Sequence, residues 1–217
     1  MSAAPNDNLF EQIDASTNER YQTRFTQHGE SHLTLGWGSR EQQAYRFSQL
    51  LYCADFTNRS VLDIGCGFGD LLGYLHQRNI PLKHYVGIDV NPEFIRVAAE
   101  TYPEAEFHAV SLTSLTDAAL SCDLVVMLGL LNFRQQALDN PSYAWEMVRR
   151  AYALSQEALL CDFLSSQREQ NYPPEDFVYY YDPAFVLELG LECTPNVQLK
   201  HDYRPIPQRE MLLTLRR

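Results

Sequence analysis

The stretch "VLDIGCGFGDLLGYL", residues 61–75, places three glycines at alternate positions between an apolar run and a leucine-rich segment. The residues before the glycines have strand character and the leucines after them recur at helical spacing, so the stretch predicts a strand, a tight turn and a helix. Glycine is tolerated in such a turn where the backbone needs a positive φ or where another group approaches closely. We therefore predict that a ligand binds at the turn of Gly65, Gly67 and Gly69.

Strand and helix patterns alternate on both sides of this stretch. Helices are predicted at 40–55, from Asn91 onwards, at 142–155 and at 183–190. Further strands are predicted at 84–90, 106–110, 122–130, 157–164, 196–203 and 209–217, the last two joined by a turn at Pro205 and Pro207. Alternating units of this kind predict an α/β fold with a doubly wound, mostly parallel sheet that ends in an antiparallel strand pair. Ligands of such sheets bind beyond the carboxyl ends of the strands.

The composition is that of one globular domain of 217 residues, of which 45% are hydrophobic, with no apolar run long enough to span a bilayer. The formal net charge of −11 disfavours nucleic acid and anionic membranes as partners, because both carry negative phosphates. No secretory signal is visible, so we expect a cytoplasmic protein. The five scattered cysteines favour reduced, mostly buried thiols over disulfides or a zinc site.

Residues 1–38 precede the first predicted unit of the fold and are interpreted as an amino-terminal extension. Residues 1–8 of this extension are predicted to be disordered. The segment "LGWGSRE", residues 35–41, leads into the helix that Ser39 is expected to cap, and it is a candidate cover for the active site. The catalytic domain is predicted to span residues 39–217.

Acidic residues around the glycine turn indicate the kind of ligand. Asp89 ends the second predicted strand roughly twenty residues after the turn, where a carboxylate commonly accepts both hydroxyls of an adenosine ribose. A dinucleotide site would carry a third glycine where Asp70 stands, and Asp63 adds a carboxylate before the turn. Negative charge disfavours a pyrophosphate here. S-adenosyl-L-methionine, which has a ribose, an ammonium and a sulfonium, therefore fits better than the NAD of a nicotinamide-dependent oxidoreductase.

The sequence resembles the class I S-adenosylmethionine-dependent methyltransferases. "VLDIGCGFGD" is similar to their glycine-rich motif, "VGIDVNPEFI" to their acidic motif, and "CDLVVMLGLLNF" to their fourth strand and the loop beside the transferred methyl group. The segments "GWGS", "FLS" and "HDY" resemble those of uncharacterised bacterial members. In one departure, Ser111 stands where the family often has an acidic residue that binds the adenine amino group. The resemblance implies a Rossmann-like sheet of seven strands and a set of cofactor-binding residues: Asp63, Gly65, Cys66, Gly67, Gly69, Asp70, Asp89, Val90, Asn91, Ser111, Leu112 and Leu128.

Three stretches are candidates for the acceptor pocket, namely residues 35–41, 171–183 and 200–205. The second contains three consecutive tyrosines, which offer aromatic faces and hydroxyl groups, although at least one of them is expected in the core. A hydrophobic staple around the tryptophan of the first stretch is an alternative to a role in binding. The predicted acceptor-binding residues are Trp37, Asn132, Phe133, Tyr180 and Tyr181.

The predicted catalytic residues are Tyr180, Tyr181 and His201. His201 has the side chain best suited to take a proton near neutral pH. A dyad with Asp202 is disfavoured, because adjacent residues of a strand face opposite ways. The alternative is that the tyrosine rings belong to the core and that the histidine caps a strand. No metal is predicted, since His28 and His32 lack a nearby acidic ligand set.

The predicted function is methyl transfer from S-adenosyl-L-methionine to a small molecule, at oxygen or nitrogen. The loop "GLLNF", residues 129–133, lacks the Asn/Asp-Pro-Pro-aromatic motif of methyltransferases that act on nucleic-acid amino groups. Two alternatives stay open: a non-catalytic subunit that binds the cofactor for a partner and, on weaker grounds, an oxidoreductase. The sequence leaves the acceptor and the oligomeric state open.

Overall fold

The structure is a computed structural model that describes residues 7–115, 120–167, 169, 172–203 and 209–217. Its strands are β1 Ser60–Ile64, β2 His84–Asp89, β3 Glu106–Ala109, β4 Cys122–Met127, β5 Ser155–Leu164, β6 Val197–Lys200 and β7 Glu210–Arg216. They form a seven-stranded sheet in the order β3-β2-β1-β4-β5-β7-β6. The first five strands are parallel, and β7 pairs antiparallel with β5 and β6. The predicted α/β fold class is therefore confirmed.

Helices connect the strands and cover both faces of the sheet. They are α1 Asp7–His28, α2 Arg40–Cys53, α3 Asp70–Gln77, α4 Pro92–Thr101, α5 Asn140–Leu154 and α6 Pro183–Cys193. The first turns of α2, α4, α5 and α6 are capped by side chains that accept hydrogen bonds from backbone N–H groups, which explains where these helices begin. The capping residues are Ser39, Asn91, Asp139 and Asp182.

The hydrophobic core lies on both faces of the sheet, because alternate residues of a strand point to opposite sides. On one face, Leu62 and Val125 pack in a cluster with residues of α1, α5 and α6. On the other face, Val61 and Leu124 pack in a cluster with residues of α2 and α3. The near-continuous burial of β1 and β4 follows from this double cover.

The chain reverses its direction of travel across the sheet at β1. From β1 it moves outward to β2 and β3, and it then returns to place β4 on the other side of β1. The turns at the carboxyl ends of β1 and β4 consequently run in opposite directions and leave a crevice between them. Ligands of open α/β sheets bind in such a crevice. The glycine turn lies in this crevice because it directly follows β1.

Helix α1 is the main departure from the sequence expectation. Disorder was expected for residues 1–8, but α1 begins at Asp7, so this expectation is wrong for Asp7 and Asn8; residues 1–6 lie outside the described part of the chain. The helix is held down by Phe10 and Ile13, whose side chains are each only 2% exposed and pack in the core cluster shared with α5. Burial of these two side chains supplies the packing that a helix of largely polar sequence needs.

Two element ends also differ from the expectation. Helix α6 was expected to close at Gly190 but continues to Cys193. Gly190 instead permits close packing, since a Cβ there would lie 2.9 Å from Leu215 of β7. Strand β6 ends at Lys200, so His201 lies beyond it. The expected turn at residues 205–207 lies outside the described part of the chain.

No helix in the described ranges is long and apolar enough to cross a membrane. Within the same ranges, no group of three or more His, Cys, Asp or Glu side chains is arranged to hold a metal ion. All five cysteines are free thiols, and four of them are buried.

Candidate functional site

A cleft of about 1030 Å³, including the space open to solvent, lies at the carboxyl ends of β1, β2 and β4. Its walls come from the turns after these strands, from the segment after β3, from α1, from α2 and from the loop between α1 and α2. This edge of an open α/β sheet is where its ligands bind, so the cleft is the candidate site.

The glycine turn forms the floor of the cleft on the side of β1. Gly65, Gly67 and Gly69 have φ angles of 77°, 55° and 79°, in the left-handed region that other residues rarely adopt. A Cβ on Gly67 would also lie 2.8 Å from the Leu35 side chain. The N–H groups of Gly65 and Cys66 donate to the Ile88 carbonyl, which fastens the turn to β2. Both requirements for glycine are thus met, positive φ and close approach.

Asp63 and Asp70 lie on either side of this turn and line the cleft. Asp63 is 5% exposed and accepts a hydrogen bond of 2.5 Å from the Tyr85 hydroxyl. Burial raises the pKa of Asp63 to about 7, opposed by the Tyr85 bond and reinforced by Asp89 and Asp70. Asp70 accepts a hydrogen bond of 2.8 Å from Gln43 of α2. No described Lys, Arg or His side chain forms an ion pair with either carboxylate.

Asp89 stands at the end of β2 and also lines the cleft. Its Oδ2 accepts from the Gly67 N–H at 3.1 Å, and its Oδ1 accepts from the Asn91 N–H at 2.9 Å. Burial raises the pKa of Asp89 to about 6, while these backbone donors lower it. The two oxygens of a carboxylate offer about four acceptor sites in total, so Asp89 retains capacity for a hydroxyl donor beside its backbone bonds.

Four carboxylates line the cleft, those of Asp14, Asp63, Asp70 and Asp89, and no described Lys, Arg or His side chain is among the lining residues. Buried carboxylates are stabilised by a positive charge or by hydrogen-bond donors. The site consequently fits a ligand that brings a cation and a diol, and it is unsuited to a pyrophosphate. S-adenosylmethionine has both groups, so the residues present fit this cofactor.

Comparison with known proteins agrees with this geometry. A family profile described as a methyltransferase domain matches residues 61–160. Rv1506c of Mycobacterium tuberculosis, which is classed as a methyltransferase, is 31% identical over 150 residues, and the match covers 66% of this chain and 86% of that protein. The chain belongs to the class I S-adenosylmethionine-dependent methyltransferases. Its cofactor is S-adenosylmethionine.

Solved structures of methyltransferases share the fold over the whole chain. The Burkholderia thailandensis 1,6-didemethyltoxoflavin-N1-methyltransferase superposes with a TM-score of 0.65 at 18% identity and covers 100% of this chain and 92% of its own. The magnesium protoporphyrin IX methyltransferase of Synechocystis superposes with a TM-score of 0.61 at 16% identity and covers 99% of this chain and 100% of its own. At these identities the likeness concerns the fold.

Most of the predicted cofactor-binding residues of the methyltransferase meet in the cleft. Two do not line it. Gly69 caps α3 and packs against Tyr102, and Asn91 is a fully buried cap of α4 that donates to Asn18 of α1 at 2.9 Å. The predicted residues that line the cleft are Asp63, Gly65, Cys66, Gly67, Asp70, Asp89, Val90, Ser111, Leu112 and Leu128.

Of the predicted acceptor-binding residues, Trp37 and Phe133 line the cleft. Asn132 does not. Its Oδ1 accepts from the Leu164 N–H at 3.0 Å, so it ties the loop after β4 to the end of β5. Tyr181 is 1% exposed, and its hydroxyl donates to the Leu131 carbonyl at 3.1 Å. The structure therefore places Tyr181 in the core rather than at the surface of the cleft, in agreement with the expectation that at least one of the three tyrosines belongs to the core.

Tyr180 and His201 also lie outside the cleft lining. The Tyr180 hydroxyl accepts from the Glu175 N–H at 3.3 Å and so closes a turn of its own loop. His201 Nε2 lies 2.8 Å from the Ser165 hydroxyl. Burial lowers the pKa of His201, and Arg209 lowers it further. An imidazole tied to Ser165 near the ends of β5 and β6 is not in position to serve the cleft in this conformation.

Several lining residues were not predicted from the sequence. Asp14, Thr17 and Tyr21 of α1 face the cleft at helical spacing, and Gln43 and Phe47 of α2 do the same. The apolar residues of α1 at this spacing carry a weak helical signal, but nothing in the local sequence indicates which part of the sheet the helix covers. The contribution of α1 becomes visible only in the folded chain.

Proposed function

We propose that this methyltransferase transfers the methyl group of S-adenosylmethionine to a nitrogen or oxygen atom of an uncharged or cationic small molecule. The observation that carries the proposal is the charge of the cleft, which has four lining carboxylates and, in the described ranges, no lining Lys, Arg or His side chain. An anionic acceptor would be repelled from such a site. The bound 1,6-didemethyltoxoflavin of the Burkholderia structure supports an acceptor of small size.

In the proposed arrangement, Asp63 and Asp70 receive the ammonium group of the cofactor, directly or through water, and Asp89 receives its ribose hydroxyls. When bound, the cofactor supplies a methyl group activated by its sulfonium charge. The chain contributes position and exclusion of water, which are large effects when two reactants must meet in line. Its acidic side chains also favour a cationic cofactor over its neutral product, which assists release of the product.

The acceptor side is proposed to lie between Trp37, Gly129 and Phe133. A Cβ on Gly129 would lie 3.0 Å from the Trp37 ring, so this part of the wall is closely packed. Phe133 adds a second ring, over which the Arg20 guanidinium lies at 4.2 Å. Two aromatic walls favour a planar acceptor.

Nitrogen is favoured over oxygen as the accepting atom. A neutral amine or ring nitrogen attacks with its own lone pair, whereas a hydroxyl needs a base to take its proton. His201, the predicted base, is bonded to Ser165 and lies outside the cleft lining. No described imidazole lines the cleft, and the lining carboxylates of Asp63, Asp70 and Asp89 are assigned here to the cofactor.

Titration calorimetry tests the cofactor part of the proposal with three ligands: S-adenosylmethionine, S-adenosylhomocysteine and NAD. We expect binding of the first two and none of NAD. Binding of NAD alone would contradict the proposal and favour an oxidoreductase.

Transfer of a radiolabelled methyl group tests the acceptor part. A panel of planar heteroaromatic amines is compared with the same compounds carrying a carboxylate. We expect product from the uncharged or cationic members and none from the anionic ones. Equal transfer to anionic compounds would contradict the charge argument, and tight cofactor binding without any transfer would favour the non-catalytic alternative.

A further inference from the structure

The strand order determines the order in which the ligand-binding groups lie along the cleft. Carboxylates for an ammonium lie beside β1, the diol-binding Asp89 lies at the end of β2, and β3 comes next in the sheet. S-adenosylmethionine is a linear molecule in which the ribose joins the amino acid to the adenine. Its base must therefore lie beyond Asp89, toward the segment that follows β3.

This segment offers an apolar slot with no carboxylate of its own. Val110 and Leu112 line the cleft here, and Ser111 lies between them. The described residues from Ala109 to Leu115 include no acidic side chain. A flat base can lie between the aliphatic side chains, but its exocyclic amino group needs an acceptor that the segment does not supply.

Helix α1 places a carboxylate at this point. Asp14 lines the cleft, and its Oδ2 accepts a hydrogen bond of 3.4 Å from the Thr113 hydroxyl. The Thr113 hydroxyl in turn lies 2.9 Å from the Ser111 hydroxyl. Burial raises the pKa of Asp14, and the Ser111 and Thr113 hydroxyls oppose the rise. Asp14 is thus a half-buried carboxylate beside the slot, and no described Lys, Arg or His side chain forms an ion pair with it.

The position of α1 is fixed by contacts on both sides of Asp14. Phe10 and Ile13 are buried in the core, Asn18 accepts from the Asn91 side chain at 2.9 Å, and Tyr21 packs edge-on against Phe94. These contacts leave the carboxylate little freedom to turn away from the slot.

We propose that Asp14 of helix α1 accepts a hydrogen bond from the exocyclic amino group of the cofactor's adenine. The amino-terminal helix is then part of the cofactor site as well as a cover, and cofactor binding and docking of α1 stabilise each other. This inference rests on the proposed placement of the cofactor.

The base itself provides the test, because hypoxanthine carries an acceptor oxygen where adenine carries the amino group. Calorimetry compares S-adenosylhomocysteine with S-inosylhomocysteine on the parent chain, on Asp14→Asn and on Glu11→Gln, an exposed change on the same helix that serves as the matched control. The parent and Glu11→Gln are expected to prefer the adenine compound by about tenfold or more, since a carboxylate repels the hypoxanthine oxygen. Asp14→Asn is expected to lose most of this preference, because an amide also donates.

Hydrogen exchange of residues 7–28 gives a second readout. We expect S-adenosylhomocysteine to slow exchange in α1 of the parent and of Glu11→Gln, and to slow it less in Asp14→Asn at equal occupancy. Normal binding with an unchanged preference between the two compounds in Asp14→Asn would overturn the inference and leave the proposed function intact. Failure of the parent to bind S-adenosylhomocysteine would overturn both.

Discussion

Two groups of acidic side chains, one in the cleft and one near the carboxyl end of β5, differ in how their charge is balanced. In the cleft group of Asp63, Asp70 and Asp89, the described hydrogen-bond donors are all uncharged. The β5 group of Asp162 and Glu210 is 1% exposed at each residue and contains a cation, because Arg46 forms a two-pronged ion pair with Glu210. We expect a bound ligand to balance the charge of the first group, whereas the fold itself balances that of the second.

The β5 group also supports one wall of the cleft. Asp162 accepts from the Gly129 N–H at 2.7 Å, and the Arg46 guanidinium lies 4.8 Å from the centre of the Trp37 ring. Burial and the neighbouring Glu210 raise the pKa of Asp162, while the Gly129 bond and Arg46 lower it. The hydrogen bond from Gly129 to Asp162 and the contact of Arg46 with Trp37 thus hold this wall in place. The carboxylates of the cleft lack such cationic partners in the described ranges and are available to a ligand. The comparison predicts opposite responses to mutation in the two groups.

The largest effect is expected from Arg46→Met, which removes the internal cation. Glu210 would remain buried without its partner, and removing one member of a buried ion pair costs about 3–5 kcal/mol. The free energy of unfolding, measured with urea, should fall by this amount. The cofactor affinity of the folded fraction should change far less.

The chain offers a matched control for this change. Arg59 pairs with Glu157 at 2.8 Å, but both side chains are more than a third exposed. Arg59→Met should therefore lower the free energy of unfolding far less than Arg46→Met does, because solvent screens an exposed ion pair. Equal losses in the two variants would mean that burial does not distinguish the pairs.

The second prediction concerns Asp63 in the absence of ligand. Its pKa of about 7 exceeds the ordinary 3.8, so the folded chain holds this proton at a higher pH than the unfolded chain does. The stability linked to this proton is present in full below about pH 4 and is lost as the pH rises through about 7. Each unit of pKa difference between the folded and unfolded chain is worth about 1.4 kcal/mol. Asp63→Asn, which keeps an acceptor for Tyr85, should abolish this pH dependence of stability.

The measurement is the free energy of unfolding at pH 5 and pH 8 for the parent and for Asp63→Asn. The variant should gain stability relative to the parent between the two values. Asp123→Asn is the control, because the pKa of Asp123 is lowered by hydrogen bonds from Ser60 and the group stays ionised throughout this window. A constant difference between parent and Asp63→Asn would show that the buried carboxyl is not protonated in the folded chain.

The third prediction concerns Asp89→Ala, which removes the proposed acceptor of the ribose hydroxyls. Hydrogen bonds to a charged group are worth about 1.5–3 kcal/mol each before water compensates, so affinity for S-adenosylhomocysteine should fall at least about tenfold. Asp123→Ala, a carboxylate at the opposite end of the sheet, should leave this affinity unchanged. Normal affinity in a folded Asp89→Ala variant would show that Asp89 does not hold the ribose.

Affinity should also depend on pH through the same group. The pKa of Asp89 is about 6 in the ligand-free chain, and the diol favours the ionised carboxylate. Affinity should therefore weaken as the pH falls through 6, and Asp89→Asn should remove the part of this dependence that belongs to Asp89.

The sequence predicts the glycine turn and Asp89 better than it predicts the contribution of α1 or the surroundings of Tyr181 and His201, for a physical reason. Gly65, Gly67 and Asp89 act through local backbone geometry, and a short motif records that geometry. Asp14 and Thr113 meet across 99 residues of chain, so their contact depends on how α1 packs and leaves no local pattern. Tyr181 and His201 are residue types that often act in catalysis. In the folded chain, however, Tyr181 donates to the Leu131 carbonyl and His201 contacts the Ser165 hydroxyl, and no sequence motif indicates either contact.

The smallest effect is expected at the tyrosines that sequence patterns favour as catalytic. Tyr181→Phe removes the donor to the Leu131 carbonyl inside the core, so the free energy of unfolding should fall by about 1 kcal/mol. Cofactor affinity should stay unchanged, because Tyr181 lies outside the cleft lining. Tyr180→Phe and His201→Ala are the matched variants, since both residues were predicted on the same grounds but are less buried.

These three variants decide whether the β5 side takes part in the reaction. A packing role predicts that stability falls most in Tyr181→Phe and that methyl transfer, once an acceptor is found, continues in all three. A catalytic role predicts the reverse, with stability preserved and transfer lost. Loss of transfer in His201→Ala at normal stability and cofactor affinity would require the imidazole to leave Ser165 and reach the acceptor, and the wall formed by Trp37 and Gly129 would then have to open toward β5.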